Sequence, residues 1–244
     1  MMEETIITRA PHSKKGYNKI ELQDFSIGSY SRSEAYKTLR TNLMFCGSDK
    51  KVIGFTSCDP AEGKSTTVIH LARALTEIGK RVLLVDADMR RSMLAARYGG
   101  VGIQSGLSQF LSGQVEKEDV IYETQYPGLH IIFAGYYPPN PVELLDSDRF
   151  RALIAEVREE YDYVLIDNPP VVGIVDAVVT AKCSDGMIIV IAKGMDSARQ
   201  VKNCKQQLEK TGTSVLGVVL NATSRREVYG KRNKYYYNKY YTAE

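Results

Sequence analysis

The chain has 244 residues, of which 43% are hydrophobic and 25% are charged, an ordinary composition for a globular protein that can bury a sizeable core in one domain. Its four cysteines are scattered without CxxC or metal-type spacing, which argues against a disulfide scaffold or a zinc site and indicates reduced thiols. No stretch approaches the length of about 18 apolar residues that a membrane span needs, and the N-terminus has no apolar leader, so we expect neither a span nor a secretory signal.

The first part of the chain reads as an extension followed by a helix. Residues 1–28 are polar and lack a hydrophobic period, and we interpret them as an extended arm. The segment after them places Ala35, Leu39 and Leu43 on one face, which predicts a helix from about Glu34 to Phe45.

Short apolar runs of strand length then alternate with amphipathic segments of helical length. The predicted strands are 52–57, 81–87, 129–135, 163–167, 187–192 and 214–221. The predicted helices are 64–79, 91–98, 147–160, 175–184 and 197–211. This alternation predicts an α/β fold, a doubly wound and mostly parallel sheet with helices on both faces. Right-handed crossovers would bring the carboxyl ends of the strands to one edge of the sheet, where ligands bind in such folds.

The first predicted strand leads directly into SCDPAEGKSTT, which resembles a phosphate-binding loop. Gly63, Lys64 and Ser65 fit the G-x-x-x-x-G-K-[ST] spacing, whereas Cys58 stands at the position of the first glycine. Backbone N–H groups and the start of the next helix would cradle phosphates, the lysine would reach the terminal phosphates, and the serine would ligate Mg²⁺. The candidate loop residues are Ala61, Glu62, Gly63, Lys64, Ser65 and Thr66.

Two further predicted strands end in carboxylates. VLLVDADMR places Asp86 and Asp88 two residues apart on one side of an extended chain, and YVLIDNPP ends in Asp167. A single aspartate there could simply cap a turn. Three of them on the edge that carries the phosphate loop predict a site for Mg²⁺ and ATP.

The C-terminal segment combines basic and aromatic bias. From Ala222 onward there are six basic and two acidic residues, about +4, which leaves about −1 for the rest of the chain because the total is +3. Six of the 16 tyrosines lie in the same 23 residues, and five of them crowd into KYYYNKYY at 234–241. Such a tail indicates an interacting segment, and adhesion to anionic lipid or nucleic acid is one explanation that stays open.

The motifs together resemble those of the bacterial tyrosine kinases that control capsule and exopolysaccharide assembly. The likeness rests on SxxPxEGKS (57–65), VDADMR (85–90), LIDNPP (165–170), EAYKTLRTNL (34–43) and the tyrosine cluster, and it extends from about Ser31 to Tyr241. It implies a P-loop NTPase of the partition-ATPase-like group with a deviant Walker motif. The implied organisation is an N-terminal arm (1–30), a kinase domain with an oligomerisation helix (31–222) and a tyrosine-rich tail (223–244).

The resemblance also implies an activity and a role for each motif residue. The chain would be an ATP-dependent tyrosine autokinase in which Asp88 is the base, Asp86 and Asp167 lie on the magnesium side with Ser65, and Lys64 stabilises the transferred phosphoryl group. Thr66 would hold the α-phosphate, and Asn221 would contact adenine or merely end its strand. The acceptors would be tyrosines of the tail: Tyr235, Tyr236, Tyr237, Tyr240 and Tyr241.

Three positions depart from the family pattern. Ala61 replaces a glycine of the loop, and Asn168 replaces a threonine of IDTPP. The ExxRxxR oligomerisation motif appears as Glu34, Lys37 and Arg40, in which lysine keeps the charge of arginine but loses its bidentate geometry.

The family resemblance further implies particular partners. They are a membrane adaptor on a separate chain, further copies of the chain in a ring, a phosphotyrosine phosphatase and protein tyrosine substrates, with no nucleic acid. The protein would be cytoplasmic and recruited to the inner face of the membrane. Two alternatives stay open at this point. One is a partition- or septum-type switch ATPase, although Asp59 stands where that group has its signature lysine; the other is a nucleotide-binding scaffold with negligible turnover.

Overall fold

The apolar runs form the strands of a single sheet in the computed structural model. The structure describes five ranges of the chain: 16–23, 30–99, 102–171, 175–194 and 197–221. In these ranges the strands are β1 (Asn18–Ile20), β2 (Val52–Ser57), β3 (Val82–Asp86), β4 (Ile121–Thr124), β5 (Leu129–Ile132), β6 (Tyr163–Asp167), β7 (Gly186–Ala192) and β8 (Val215–Asn221). The helices are α1 (Tyr30–Phe45), α2 (Lys64–Thr76), α3 (Leu94–Tyr98), α4 (Leu107–Leu111), α5 (Lys117–Val120), α6 (Pro141–Leu145), α7 (Asp148–Glu160), α8 (Asp176–Ala181) and α9 (Ala198–Glu209).

The sheet has the order β1-β4-β5-β3-β6-β2-β7-β8 and is parallel except between β4 and β5. All six predicted strands are confirmed, although β5 ends three residues before its predicted limit at 135. All five helices predicted between strands are also present, and α1 begins four residues before the predicted start at Glu34. The doubly wound, mostly parallel architecture expected from the alternating pattern is therefore confirmed.

Part of the predicted extended arm adds a strand to the sheet, because residues 18–20 form the edge strand β1 beside β4. The side-chain amide of Asn18 donates to Asp119 O (3.0 Å), and Gln125 both donates to Leu22 O and accepts from Leu22 N (2.9 Å each). A three-residue strand with two exposed positions has too short a pattern to be recognised from sequence. β4 and the single-turn helices α4, α5 and α6 are likewise too short to be recognised from sequence.

Helices cover both faces of the sheet. Ile53 and Phe55 of β2 lie in the same buried cluster as the apolar residues of α2, whereas Val52 contributes to the cluster on the opposite face with α7. The burial of α7 follows the helical period, since its buried residues are Phe150, Leu153, Ile154 and Val157. Its start is fixed by Ser147, whose hydroxyl accepts from Phe150 N (3.2 Å).

This arrangement brings three loops together at one edge. β6 lies between β3 and β2, and Asp86 at the end of β3 is paired in register with Asp167 at the end of β6. The loop between β2 and α2 begins at the same edge, because Phe55 of β2 is paired with Asp167. The phosphate loop and both carboxylate-bearing strand ends are thus neighbours.

Candidate active site

The phosphate loop is held in shape by a buried glutamate. The Glu62 carboxylate, which is 1% exposed, accepts hydrogen bonds from Asp59 N (2.9 Å) within the loop and from Ala192 N (3.0 Å) at the end of β7. Its side chain is therefore committed to the protein backbone. The backbone N–H of Glu62 is therefore the group of this residue that could contact a phosphate.

Asn221 closes the other side of the loop. Its side-chain amide donates to Glu62 O (2.9 Å), and a Cβ atom at Gly63 would lie 2.0 Å from that amide nitrogen. Gly63 also has a φ of 81°, a left-handed conformation that favours glycine. Both space and backbone conformation therefore require glycine at position 63. The Asn221 side chain supports the loop through its hydrogen bond to Glu62 O, and its contact with adenine stays a prediction.

Ala61 adopts a left-handed conformation as well, with a φ of 66°. A side chain with a Cβ is disfavoured there, by roughly 1–2 kcal/mol relative to right-handed conformations. The glycine expected at this position from the family pattern would avoid the strain. The loop thus keeps its shape with alanine, at a conformational cost.

A buried ion pair lies at the centre of the site. The Lys64 ammonium group donates to Asp167 Oδ1, and both side chains are almost fully buried. Lys64 also lies 3.3 Å from the hydroxyl oxygen of Ser65. Within the described part of the chain, the second oxygen of Asp167, Oδ2, is buried without a hydrogen-bond partner. An acceptor in that condition is complementary to a cation or a donor on a ligand.

The two aspartates after β3 are linked to each other. Asp88 N donates to Asp86 Oδ1 (3.2 Å), and the Ser92 hydroxyl donates to Asp86 Oδ2. Burial, with the neighbouring carboxylate of Asp167, raises the pKa of Asp86 above its ordinary value. Burial also raises the pKa of Asp88, whose carboxylate accepts from Arg91 N (3.0 Å). The site therefore holds more buried negative charge than Lys64 alone offsets.

The donor set fits Mg²⁺ rather than a cation that needs a cage of protein ligands. Among the described residues, no three or more His, Cys, Asp or Glu side chains are arranged to hold a metal ion. Mg²⁺ usually takes one or two carboxylates and completes its shell with water and substrate phosphates. Ser65, Asp86 and the unpartnered Asp167 Oδ2 would supply the protein ligands.

Arg90, the last residue of the VDADMR motif, has a partner in Asp176 that sequence reasoning did not find. The Arg90 guanidinium forms a bidentate pair with the fully buried Asp176, with distances of 2.9 and 3.2 Å. This pair joins the Asp86–Asp88 segment to the start of α8. In the sequence, an acid in the first turn of a predicted helix gives no sign of such a partner, because acids are common there for the helix dipole alone.

Asn168, which departs from the family pattern, is a structural residue. It is fully buried; its amide donates to Phe55 O (3.1 Å) and Ile166 O (3.2 Å), and its oxygen accepts from the Thr180 hydroxyl (2.5 Å). These hydrogen bonds connect three elements of the fold: β2, β6 and α8. Asn168 therefore lies behind the carboxylates as part of the packing between these elements.

The candidate oligomerisation residues have partners within the chain. The Lys37 ammonium group pairs with Glu34 (2.8 Å) one turn away on α1, and Arg40 donates to Ala74 O (2.7 Å) near the end of α2. Their role between subunits stays a prediction. The candidate phosphoacceptor tyrosines of the tail, 235–237, 240 and 241, lie outside the described residues.

Comparisons with known proteins show the family and the fold to which the chain belongs. A family model described as an AAA domain matches residues 50–216 and places the chain in that family. The structure of the septum site-determining protein MinD of Pyrococcus horikoshii, complexed with Mg-ADP, superimposes with a TM-score of 0.60 at 26% identity, covering 72% of each chain. The fold is thus one that binds a magnesium–nucleotide complex in another protein.

No helix of the described residues is long and apolar enough to cross a bilayer.

Stronger similarity is found to tyrosine kinases. The kinase domain of the Escherichia coli tyrosine kinase Etk superimposes with a TM-score of 0.75 at 33% identity, covering 80% of this chain and 77% of that domain. The tyrosine-protein kinase CpsD of Streptococcus agalactiae is 36% identical over 207 residues, which cover 84% of this chain and 89% of the relative. Because that identity extends over most of both chains, this chain belongs to the family of bacterial tyrosine-protein kinases.

Proposed function

We propose that the chain is an ATP-dependent protein-tyrosine autokinase that phosphorylates the C-terminal tyrosine cluster of a neighbouring copy and thereby regulates capsular or exopolysaccharide synthesis and export. The observation that carries this proposal is the cluster of buried acids, Asp86, Asp88 and Asp167, around Lys64 at the edge that bears the phosphate loop. The names of its relatives as tyrosine-protein kinases support the choice of tyrosine as the acceptor.

The chemistry assigned to the chain is in-line phosphoryl transfer. The tyrosine oxygen forms a bond to the γ-phosphorus of ATP, the bond from that phosphorus to the β–γ bridging oxygen breaks, and ADP leaves. Asp88 accepts the phenolic proton, a task that its raised pKa favours. Lys64 and the loop N–H groups bind the phosphates and stabilise the transferred charge. Mg²⁺ held by Ser65, Asp86 and Asp167 would supply further positive charge to the β- and γ-phosphates.

The tail would serve as the substrate and as a switch. Each phosphate adds about −1.5 to −2 charges, so five phosphates would take the tail from about +4 to about −4 or beyond. A tail of that charge would be repelled by the acidic edge of a neighbouring site. Phosphorylation would therefore weaken an assembly held together by docked tails.

The proposed partners follow from the family resemblance. A separate membrane adaptor would recruit the cytoplasmic kinase to the inner face of the membrane and raise its affinity for ATP. Copies of the chain would assemble through α1, with Glu34, Lys37 and Arg40 at the contact, in a ring. A phosphotyrosine phosphatase would reset the tail.

Mass spectrometry of the purified protein after incubation with Mg-ATP tests the proposal, with Lys64→Ala as the control and a cytoplasmic fragment of the adaptor added. Phosphate on residues 235–241 of the wild type, and none on the control, is the expected result. An unmodified tail with steady release of phosphate would instead indicate a switch ATPase. ATP binding with neither product would indicate a scaffold.

A further inference from the structure

We propose that Arg97 is a phosphate-binding residue of the nucleotide site and contacts the α-phosphate of bound ATP or ADP beside Thr66. The inference rests on the proposed nucleotide binding and adds a residue that the loop motif does not contain. Arg97 lies on α3, more than 30 residues after the loop, and a guanidinium suits a phosphate because it donates two parallel hydrogen bonds.

The position of the guanidinium is the first argument. Arg97 Nη1 donates to Thr66 Oγ1 at 2.9 Å, and Thr66 is the third residue of α2. The first turn of a helix has free N–H groups that point along the axis towards bound anions. Arg97 is therefore anchored to the hydroxyl of the turn that faces the phosphates.

The charge balance at this point is the second argument. The N-terminus of a helix carries positive potential, so a cation placed against it is disfavoured unless an anion lies nearby. Lys64 of the same turn is paired with Asp167, but no carboxylate among the described residues lies within ion-pair distance of Arg97. A polyphosphate bound at the turn would provide the missing negative charge.

The helix that carries Arg97 is anchored through the next residue, Tyr98. Tyr98 is 3% exposed, and its hydroxyl lies 3.4 Å from Thr66 Oγ1. The carbonyl of Tyr98 accepts from Gln23 N (2.9 Å), which ties α3 to the segment after β1, and its ring packs edge-on against His70 of α2. The arginine thus projects from an anchored turn towards Thr66.

The geometry selects the α-phosphate over the γ-phosphate. Lys64, Asp86 and Asp167 mark the end of the site where the terminal phosphates lie, since the lysine of the loop motif reaches those phosphates. Thr66 lies two residues further along α2. A contact at the α-phosphate is present in ADP and in ATP alike, so loss of Arg97 should weaken the binding of both nucleotides to the same extent.

Fluorescence anisotropy with N-methylanthraniloyl-ADP and N-methylanthraniloyl-ATP in MgCl₂ measures this directly on the full chain. We expect Arg97→Ala to raise the Kd for both nucleotides about tenfold, the loss of one charge-assisted contact, and Arg97→Lys to restore part of the affinity. Arg151→Ala is the matched control, because it removes an exposed arginine of α7 that we place outside the site, and its Kd should equal that of the wild type.

Three results would overturn the inference. One is an Arg97→Ala protein with the affinity of the wild type. Another is a loss confined to the ATP analogue, which would move the contact to the γ-phosphate. The third is a weakened Arg97→Ala protein whose melting temperature without nucleotide also falls and whose affinity Arg97→Lys does not restore, since Arg97 would then be structural. If the wild type bound neither nucleotide, the proposed function would fail together with the inference; the first three results concern Arg97 alone.

Discussion

The ammonium group of Lys64 and the carboxylate of Asp167 form a buried ion pair between the first residue of α2 and the last residue of β6. The pair fixes the phosphate loop relative to the strand that would bear a magnesium ligand. Asp167 also acts on Asp86, whose pKa it helps to raise. The positive charge of Lys64 therefore offsets the negative charge of Asp167, which itself repels the carboxylate of Asp86.

Removal of the lysine should cost more stability than removal of the charge on its partner. Lys64→Met leaves two neighbouring buried carboxylates, and we expect the free energy of unfolding to fall by about 3 kcal/mol or more. Asp167→Asn relieves the repulsion with Asp86 while it strands Lys64, so its cost should be smaller. Urea denaturation followed by circular dichroism measures both. The reverse order of the two costs would contradict this account of the pair.

Asp88→Asn should abolish most of the kinase rate without loss of nucleotide binding. An amide cannot accept the phenolic proton, and loss of a general base costs roughly 10²–10⁴-fold in rate. The rate is measured by phosphotyrosine formation and the binding by nucleotide affinity. Asp148→Asn, at a fully exposed position on α7, is the control and should keep the wild-type rate. A folded Asp88→Asn protein with the wild-type rate would falsify the assignment of the base.

Ala61→Gly should stabilise the protein. Alanine at a φ of 66° is strained by about 1–2 kcal/mol, and glycine removes the strain while it adds about 0.5–1 kcal/mol of entropy to the unfolded chain. The net gain should be about 0.5–1 kcal/mol in urea denaturation. Ala155→Gly is the matched control: this exposed residue lies inside α7, where glycine is unfavourable, and the change should cost about 1 kcal/mol. Equal destabilisation by both changes would show that Ala61 is not strained.

The parts of the fold that sequence could predict are those with a long apolar period. β2 and β6 match their predicted bounds, because each is a run of five or six buried residues between turn residues. The carboxylates Asp86 and Asp167 were recognisable because they end such runs. β1 and α5 were not, because three or four residues contain no period.

The pairings across the site could not be predicted for a different reason. Arg90 and Asp176 are 86 positions apart, and Asn168 reaches Thr180 and Phe55 on two other elements. No local pattern specifies such contacts, since they are set by which loops the sheet order brings together. The Glu62 side chain shows the same limit: the loop motif indicated backbone contacts with phosphate and gave no sign that the Glu62 carboxylate accepts from Ala192 N, 130 positions away.

The Arg90–Asp176 pair gives an asymmetric prediction. Asp176 is fully buried and Arg90 is one-third exposed, so Arg90→Ala strands a charge in the interior, whereas Asp176→Asn leaves an arginine that can reach water. We expect costs of about 3 kcal/mol and about 1–2 kcal/mol respectively. Urea denaturation compares them, with Arg151→Ala in an exposed pair as a reference near zero. Equal costs for the two single changes would mean that the burial of Asp176 does not determine the loss in free energy of unfolding.

His70 should make the stability of the protein fall in mild acid. It lies on α2 between the rings of Tyr36 and Tyr98, and burial, with Arg32 and Arg73 nearby, lowers its pKa from 6.5 to about 4. Below pH 6.5 the unfolded chain binds a proton that the folded protein does not bind until about pH 4, so stability decreases as the pH falls through that window. Between pH 7.5 and pH 5 the loss from this residue should be about 2 kcal/mol.

The variant His70→Gln isolates this contribution, because every other titrating group is common to both proteins. The difference in free energy of unfolding between wild type and variant, measured in urea at pH 7.5, 6 and 5, should shift by about 2 kcal/mol in favour of the variant as the pH falls. The variant can be less stable at every pH, since only the change with pH bears on the histidine. A difference that stays constant from pH 7.5 to pH 5 would mean that His70 takes up its proton equally in the folded and unfolded chains.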